Sequence, residues 1–279
     1  MTVDEVLHEA LQLGEEGRWE KMARLLDDAL QEEPDDPYLL CWLGVAEREL
    51  GNDGAAYDRF RRCVMQNPLD PHVLALAGAG LAAFDDPDAE MALRAAALSG
   101  PELPMARLQY GAYLAREGMV DEALEHLRAA VELAPEDPAM HAELGAALVL
   151  KDELEEGARS LETALEIAPD DAWTRVLLGL VWVELDETEA AAQELVRAAR
   201  DREDDAEALI VAALAAAAVE WDDVAEELLA LAEYPAEGAD IQLLQESESA
   251  LRAGPESALR FLRTTIGPSA LRDRLATPL

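Results

Sequence analysis

Basic residues are scarce in this sequence. It has 22 lysines and arginines against 60 acidic residues, for a net charge of −38, and only Lys21 and Lys151 are lysines. Such a negative surface repels phosphate backbones and anionic lipids, so nucleic acids and membrane surfaces are excluded as favoured partners. Two explanations of the acidity stay open: a partner with a basic surface, or solubility and adaptation of the host to salt.

Cysteines and long apolar runs are also few. Cys41 and Cys63 lie 22 residues apart, which fits neither a metal site nor a redox motif. In apolar helical surroundings such cysteines behave as small hydrophobic residues. The longest apolar run, residues 209–219, is too short to span a bilayer. The N-terminal stretch carries acids where a signal peptide carries bases. We therefore expect a reducing, cytoplasmic location.

What the sequence has is a repeat. Residues 104–137 align without a gap with residues 138–171, a period of 34. The same residue recurs at corresponding places: Gly111 and Gly145, Leu114 and Leu148, Leu127 and Leu161, Ala130 and Ala164, and Pro135 and Pro169. Within each half, apolar residues at three- and four-residue spacings indicate two amphipathic helices, A and B. A period of 34 with this pattern predicts stacked helical hairpins.

The period extends in both directions from this central pair. Prolines at the repeat ends and small residues in the helices divide residues 3–235 into seven repeats: 3–36, 37–70, 71–103, 104–137, 138–171, 172–205 and 206–235. Residues 236–279 follow the pattern weakly. We expect them to form a degenerate eighth hairpin and a C-terminal cap, because a terminal repeat meets water on one face. The sequence thus predicts an all-α protein.

This pattern resembles the tetratricopeptide repeat family. The matching residues include Gly145, Leu148, Leu161, Ala164 and Pro169, as well as Gly44, Ala56, Phe60 and Pro68. Departures are local: Glu9 and Ala10 in the first repeat, Gly157 in the fifth, and the acidic run 202–205 in place of a proline in the sixth. The resemblance implies a right-handed α-solenoid of about seven to eight hairpins with a short C-terminal capping helix. It also implies a scaffold that binds peptides or proteins.

The resemblance further implies which A-helix residues line a concave groove. The larger or more distinctive of them are Tyr38, Cys41, Val45, Arg48, His72, Met105, Leu108, Ala112, Trp173, Val176, Leu180 and Ile210. This set is mostly apolar, and it does not contain the combination of Lys, Asn and Arg with which chaperone-binding members of the family clamp a carboxylate. An apolar groove rimmed by acids predicts that the partner is a peptide or amphipathic helix of another protein, with or without basic flanks.

Two alternatives to a partner in the groove stay open. A C-terminal helix of the same chain could fill the groove. The chain could also be a self-assembling scaffold, a homo-oligomer that forms through its terminal repeats, because open solenoids expose end faces that can join head to tail.

Nothing in the sequence indicates catalysis. The four histidines, His8, His72, His126 and His141, fall at different repeat positions, and there is no HExxH, phosphate-binding glycine loop or nucleophile elbow. Acid pairs lie at turns or in first helical turns, where they favour the helix dipole. We therefore expect no enzyme activity and no catalytic, cofactor or metal site.

The C-terminal end differs in charge from the rest of the chain. Residues 252–279 contain five arginines and two acidic residues, a net charge of +3 in a chain of −38. We expect this end to dock on an acidic surface, either its own solenoid or a neighbouring molecule. Exposed ion pairs contribute about 0–1 kcal/mol each. Apolar residues must therefore supply most of the docking, and the candidates are Leu259, Phe261, Leu262, Ile266 and Leu271.

Overall fold

The computed structural model describes residues 1–201, 205–232 and 241–276. The described residues form 17 α-helices and one π-helical turn, without a strand among them. The predicted all-α solenoid of helical repeats is therefore confirmed. Three sequence predictions fall at least partly outside these ranges: the domain boundary at residue 235, residues 202–204 of the acidic run, and residues 236–240 and 277–279 of the eighth hairpin and cap.

The chain forms two compact units, Met1–Ala134 and Pro135–Leu279, which we call the N-terminal unit and the C-terminal unit. The N-terminal unit consists of four helical hairpins. Their helices are α1 (Val3–Glu15), α2 (Trp19–Leu30), α3 (Pro37–Glu49), α4 (Asp53–Met65), α5 (Pro71–Ala82), α6 (Asp88–Ser99), α7 (Pro104–Arg116) and α8 (Val120–Leu133). The odd-numbered helices are the A helices and the even-numbered ones the B helices of the predicted repeats.

The C-terminal unit begins with three hairpins of the same kind. They are α9 (Pro138–Leu150) with α10 (Leu154–Ile167), α11 (Ala172–Glu184) with α12 (Thr188–Asp201), and α13 (Ala206–Ala218) with α14 (Asp222–Leu231). Four further elements follow: α15 (Ile241–Arg252), α16 (Pro255–Phe261), the π-helical turn Leu262–Ile266, and α17 (Gly267–Ala276). The last three are continuous, and we call residues 255–276 the C-terminal segment.

Aspartates start most of the A helices. Asp36 accepts hydrogen bonds from the backbone N–H groups of Tyr38 and Leu39, both at 3.0 Å. The same kind of cap is formed by Asp70, Asp137, Asp171 and Asp205. Such a cap satisfies backbone donors without a partner inside the helix and stabilises the helix by about 1 kcal/mol. The third repeat is one residue short, so Leu103 precedes α7 and provides no side-chain cap.

The turn from helix A to helix B requires a residue with a positive φ angle. Gly17, Gly51 and Gly118 adopt it at 67°, 74° and 80° in the first, second and fourth hairpins. Acidic residues adopt it in later hairpins, for example Asp152 at 64° and Glu220 at 62°. Aspartate tolerates this region better than most L-residues, while glutamate has no such advantage. The turn geometry is thus the same in hairpins that have an acidic residue in place of glycine.

Small residues allow the two helices of a hairpin to approach closely. A Cβ atom at Gly145 of α9 would lie 2.7 Å from Cγ of Leu161 on α10, and one at Gly179 of α11 would lie 2.5 Å from Cγ of Leu195 on α12. Both leucines are fully buried. The leucine of helix B therefore fills the space that the glycine of helix A leaves open.

Candidate interaction site in the A helices

The A helices of the N-terminal unit lie side by side. Helix α1 contacts α3, α3 contacts α5, and α5 contacts α7, while α2, α4 and α6 each pack between two successive A helices and α8 packs against α7. The side chains of these A helices that do not face the B helices therefore lie on one shared surface. This surface is the structural counterpart of the groove predicted for residues 3–137.

The structure divides the predicted groove residues of the N-terminal unit into two groups. Cys41, Val45, Leu108 and Ala112 are buried, with exposed fractions of 0%, 9%, 4% and 2%. Tyr38 and Arg48 are exposed, and His72 and Met105 are half-buried. Leu11 of α1, at the repeat position that Val45 occupies in α3, is 39% exposed. The first group thus forms a packed floor, and the second stands above it, where another molecule can reach it.

Hydrogen bonds and ring contacts fix two of the accessible side chains. The hydroxyl group of Tyr38 donates to Oδ2 of Asp70 at 3.2 Å, which links α3 to the start of α5. Burial and the Asp70 charge raise the pKa of Tyr38, so the phenol stays neutral and remains a donor. The ring of His72 lies 6.1 Å from that of Trp42, centroid to centroid. The aromatic part of this surface is therefore held in place before any partner arrives.

The two cysteines are structural. Cys41 and Cys63 are fully buried and free. Their thiols donate to the backbone oxygens of Val73, at 3.7 Å, and of Pro37, at 3.2 Å. A hydrogen bond with Cys63 and burial raise the pKa of Cys41. Because the thiolate is the reactive form, a neutral buried thiol is a poor nucleophile.

The predicted groove residues of the C-terminal unit are covered. Val176 and Leu180 on α11 and Ile210 on α13 have exposed fractions of 3%, 1% and 1%. Trp173 is half-buried, and its Nε1 atom is buried without a hydrogen-bond partner among the described residues. In α13, ten consecutive residues are buried, Ala208–Ala217. A helix that is buried on all sides has neighbours on all sides.

The C-terminal segment provides this cover. Helix α16 packs against α13, and α17 packs against α11. Leu262, Ile266 and Ala270 belong to the same buried cluster as Val176 and Leu180. In the C-terminal unit, a segment of the same chain therefore covers the residues that were predicted to line the groove.

Two ion pairs accompany this packing. Nη2 of Arg263 lies 2.5 Å from Oδ1 of Asp186, and Nη2 of Arg274 lies 3.5 Å from Oδ2 of Asp205. Docking on an acidic surface is thus seen, and the surface belongs to the same chain. The sequence does not single out Asp186 and Asp205, because they are ordinary turn and cap acids. The positive charge of the segment is the sequence feature that indicates acidic partners for it.

The described residues contain no cluster of three or more histidine, cysteine or acidic side chains that could hold a metal ion. Two of the histidines have local partners: His141 bonds the backbone oxygen of Pro135 at 2.8 Å, and Nδ1 of His126 lies 3.1 Å from Nη1 of Arg107. Within the same parts of the chain, no helix is long and apolar enough to cross a membrane.

Comparisons with known proteins agree with this architecture. A family model described as tetratricopeptide repeat matches residues 104–147. No curated protein matches the sequence significantly. Among solved structures, a chain of an APC/C hetero-tetramer has a TM-score of 0.71 and 20% identity, over 88% of this chain and 49% of that one. The chain thus spans about half of that relative.

Two further solved structures match nearly their whole length. The structure of pilF from Pseudomonas aeruginosa has a TM-score of 0.62 and 19% identity, over 76% of this chain and 96% of that one. A TPR protein from Thermus thermophilus has a TM-score of 0.52 and 26% identity, over 64% of this chain and 97% of that one.

Proposed function

Since this chain is a tetratricopeptide-repeat protein, we propose that it is a non-catalytic scaffold whose N-terminal unit binds a segment of another protein. The repeat fold supports a role in protein–protein interaction. The observation that carries the proposal is the set of accessible side chains above a packed floor: Leu11, Tyr38, Arg48, His72 and Met105. They lie on four A helices that contact one another in sequence.

The chemistry of this surface favours an amphipathic helix or an apolar stretch of chain. Leu11 and Met105 offer apolar contact, and Tyr38 and His72 offer aromatic faces with polar tips, a combination that is frequent at interfaces. The net charge of −38 favours basic flanks on the partner. Basic flanks raise the association rate through long-range attraction, while the apolar contacts supply the affinity.

The test compares two double variants of the full chain as baits in a host lysate. Leu11→Glu with Met105→Glu places charge on the proposed surface. Met91→Glu with Leu98→Glu makes the same kind of change on α6, where these side chains are 59% and 72% exposed. We expect the first variant to lose at least about nine-tenths of the bound partner, because charge burial is costly, and the second to retain it.

The proposal is wrong if the surface variant has the circular dichroism and melting temperature of the wild type and still captures every partner. Light scattering over a range of concentrations addresses the alternative. A monomer at all concentrations excludes self-assembly through the terminal repeats. If the wild type assembles, and the α6 variant and the surface variant assemble as well, the result favours the alternative of a self-assembling structural scaffold.

A further inference from the structure

The C-terminal segment lies where the fold predicts a ligand. The A-helix positions that line the groove in this repeat pattern are Val176, Leu180 and Val183 on α11, with Ile210 and Leu214 on α13. All five are at most 3% exposed and belong to one buried cluster with residues of the segment. A cap for the last hairpin requires contact with α13 and α14. This segment also contacts α11, which belongs to the preceding hairpin, so its contacts extend one repeat beyond those that a cap requires.

The segment has the chemistry of an amphipathic ligand helix. Ala258, Leu262, Ile266 and Ala270 are buried, at 0%, 0%, 3% and 1% exposure, and they recur at intervals of four residues. Other side chains of the segment are exposed, among them Arg260, Thr264 and Arg272. One face is thus apolar and the other polar, as in helices that bind grooves.

Charge complementarity sets the position of this helix. Arg263 pairs with Asp186 in the turn after α11, and Arg274 pairs with Asp205 at the start of α13. The two arginines are eleven residues apart, about 16 Å along a helix. Two acids of the solenoid therefore define where basic residues of a bound helix must lie.

We propose that the groove of α11 and α13 is a binding site for an amphipathic helix of a partner protein, and that the C-terminal segment occupies this site as an intramolecular ligand. The partner helix carries an apolar stripe and two basic side chains about 16 Å apart along its axis. This site is separate from the surface proposed for the N-terminal unit, and either assignment can hold without the other.

The tether makes the site latent in the resting protein. A segment joined to its own groove acts at an effective concentration of about millimolar order. The apparent affinity for an external helix is lowered by the fraction of molecules in which the groove is free. Any change that weakens the internal contact should therefore increase binding of an external helix that keeps the native contacts.

The experiment uses the full chain and a labelled peptide of residues 255–276, followed by fluorescence anisotropy. The double change Arg263→Glu with Arg274→Glu brings like charges together at both ion pairs. We expect the variant to bind the native peptide at least about ten-fold more tightly than the wild type does. A peptide with the same two changes should bind neither protein.

A matched control changes the net charge of the segment by the same amount, but at two other arginines. Arg260 and Arg272 are exposed, so Arg260→Glu with Arg272→Glu should leave peptide affinity close to that of the wild type. The inference is overturned if the Arg263 and Arg274 variant remains folded but gains no affinity, because the segment is then a fixed cap. It is also overturned if wild-type dimers form only when the segment is present, because a second copy is then the occupant.

Hydrogen exchange on the wild type gives an independent answer if the double variant does not fold. A latent site requires the segment to detach while the solenoid stays folded. Amides of α16 and α17 should then exchange at least about ten-fold faster than the central amides of α11. Equal protection in all three helices overturns the inference.

Discussion

At the scale of single residues, His126 of α8 has polar and aromatic neighbours that affect its protonation. Nη1 of Arg107 lies 3.1 Å from its Nδ1 atom, and the ring of Tyr110 meets it edge-on at 4.8 Å between centroids. Burial and the Arg107 charge lower the pKa of His126, while Glu122 and Glu125 act in the opposite direction. The imidazole therefore stays neutral to a lower pH in the folded protein than in the unfolded chain.

The lowered pKa of His126 predicts a loss of stability in mild acid. The unfolded chain takes up a proton near its ordinary pKa of about 6.5, and the folded chain does so at lower pH. The free energy of unfolding should thus fall as pH decreases below about 6.5. His126→Gln should reduce the fall measured by urea unfolding between pH 7 and 5.5, and the exposed control His8→Gln should not. Equal slopes in all three proteins would contradict the prediction.

At the scale of helices, the close approach within each hairpin limits what the A helix can carry. Gly145→Ala places a methyl group 2.7 Å from Cγ of Leu161, and overpacking of this kind costs about 1–3 kcal/mol. Gly54 of α4 is the control, because a Cβ atom there has nothing within 4 Å. Gly54→Ala should instead stabilise the protein by up to about 1 kcal/mol. Urea midpoints compare the two, and a destabilising Gly54→Ala would refute the contact argument.

The hairpins could be predicted from the sequence because their causes are local. Proline, the capping aspartates and the Gly145–Leu161 pair act within one repeat, and the 34-residue period shows them several times. The covered groove of the C-terminal unit is different. Whether Val176 is a contact for a partner or part of the core depends on residues near position 266, about ninety positions away. The sequence indicated that the basic end docks on an acidic surface, but not which acids receive it.

At the scale of the whole molecule, the charge of −38 is the dominant property. Some of the acids have structural roles, such as Asp36 and Asp171 at helix starts, yet like charges repel one another throughout the folded state. Added salt screens this repulsion. If the acidity is an adaptation to salt, the melting temperature should therefore increase with sodium chloride through the physiological range.

An uncharged osmolyte at the same osmolality provides the control for this salt effect. Osmolytes stabilise proteins by exclusion from the surface and do not screen charge. The salt curve should therefore exceed the osmolyte curve at each step. A flat salt curve would favour the other explanation of the acidity, a partner with a basic surface.

The π-helical turn Leu262–Ile266 affects the geometry of the C-terminal segment. In a regular α-helix, residues at four-residue intervals drift by about 40° per step. The stripe from Ala258 to Ala270 would therefore wind about 120° around the axis. One extra residue in a turn takes back about 100° of this rotation. The angular phase of the helix is thus reset midway, so a stripe with four-residue spacing winds only about 20° around the axis and can face both α13 and α11.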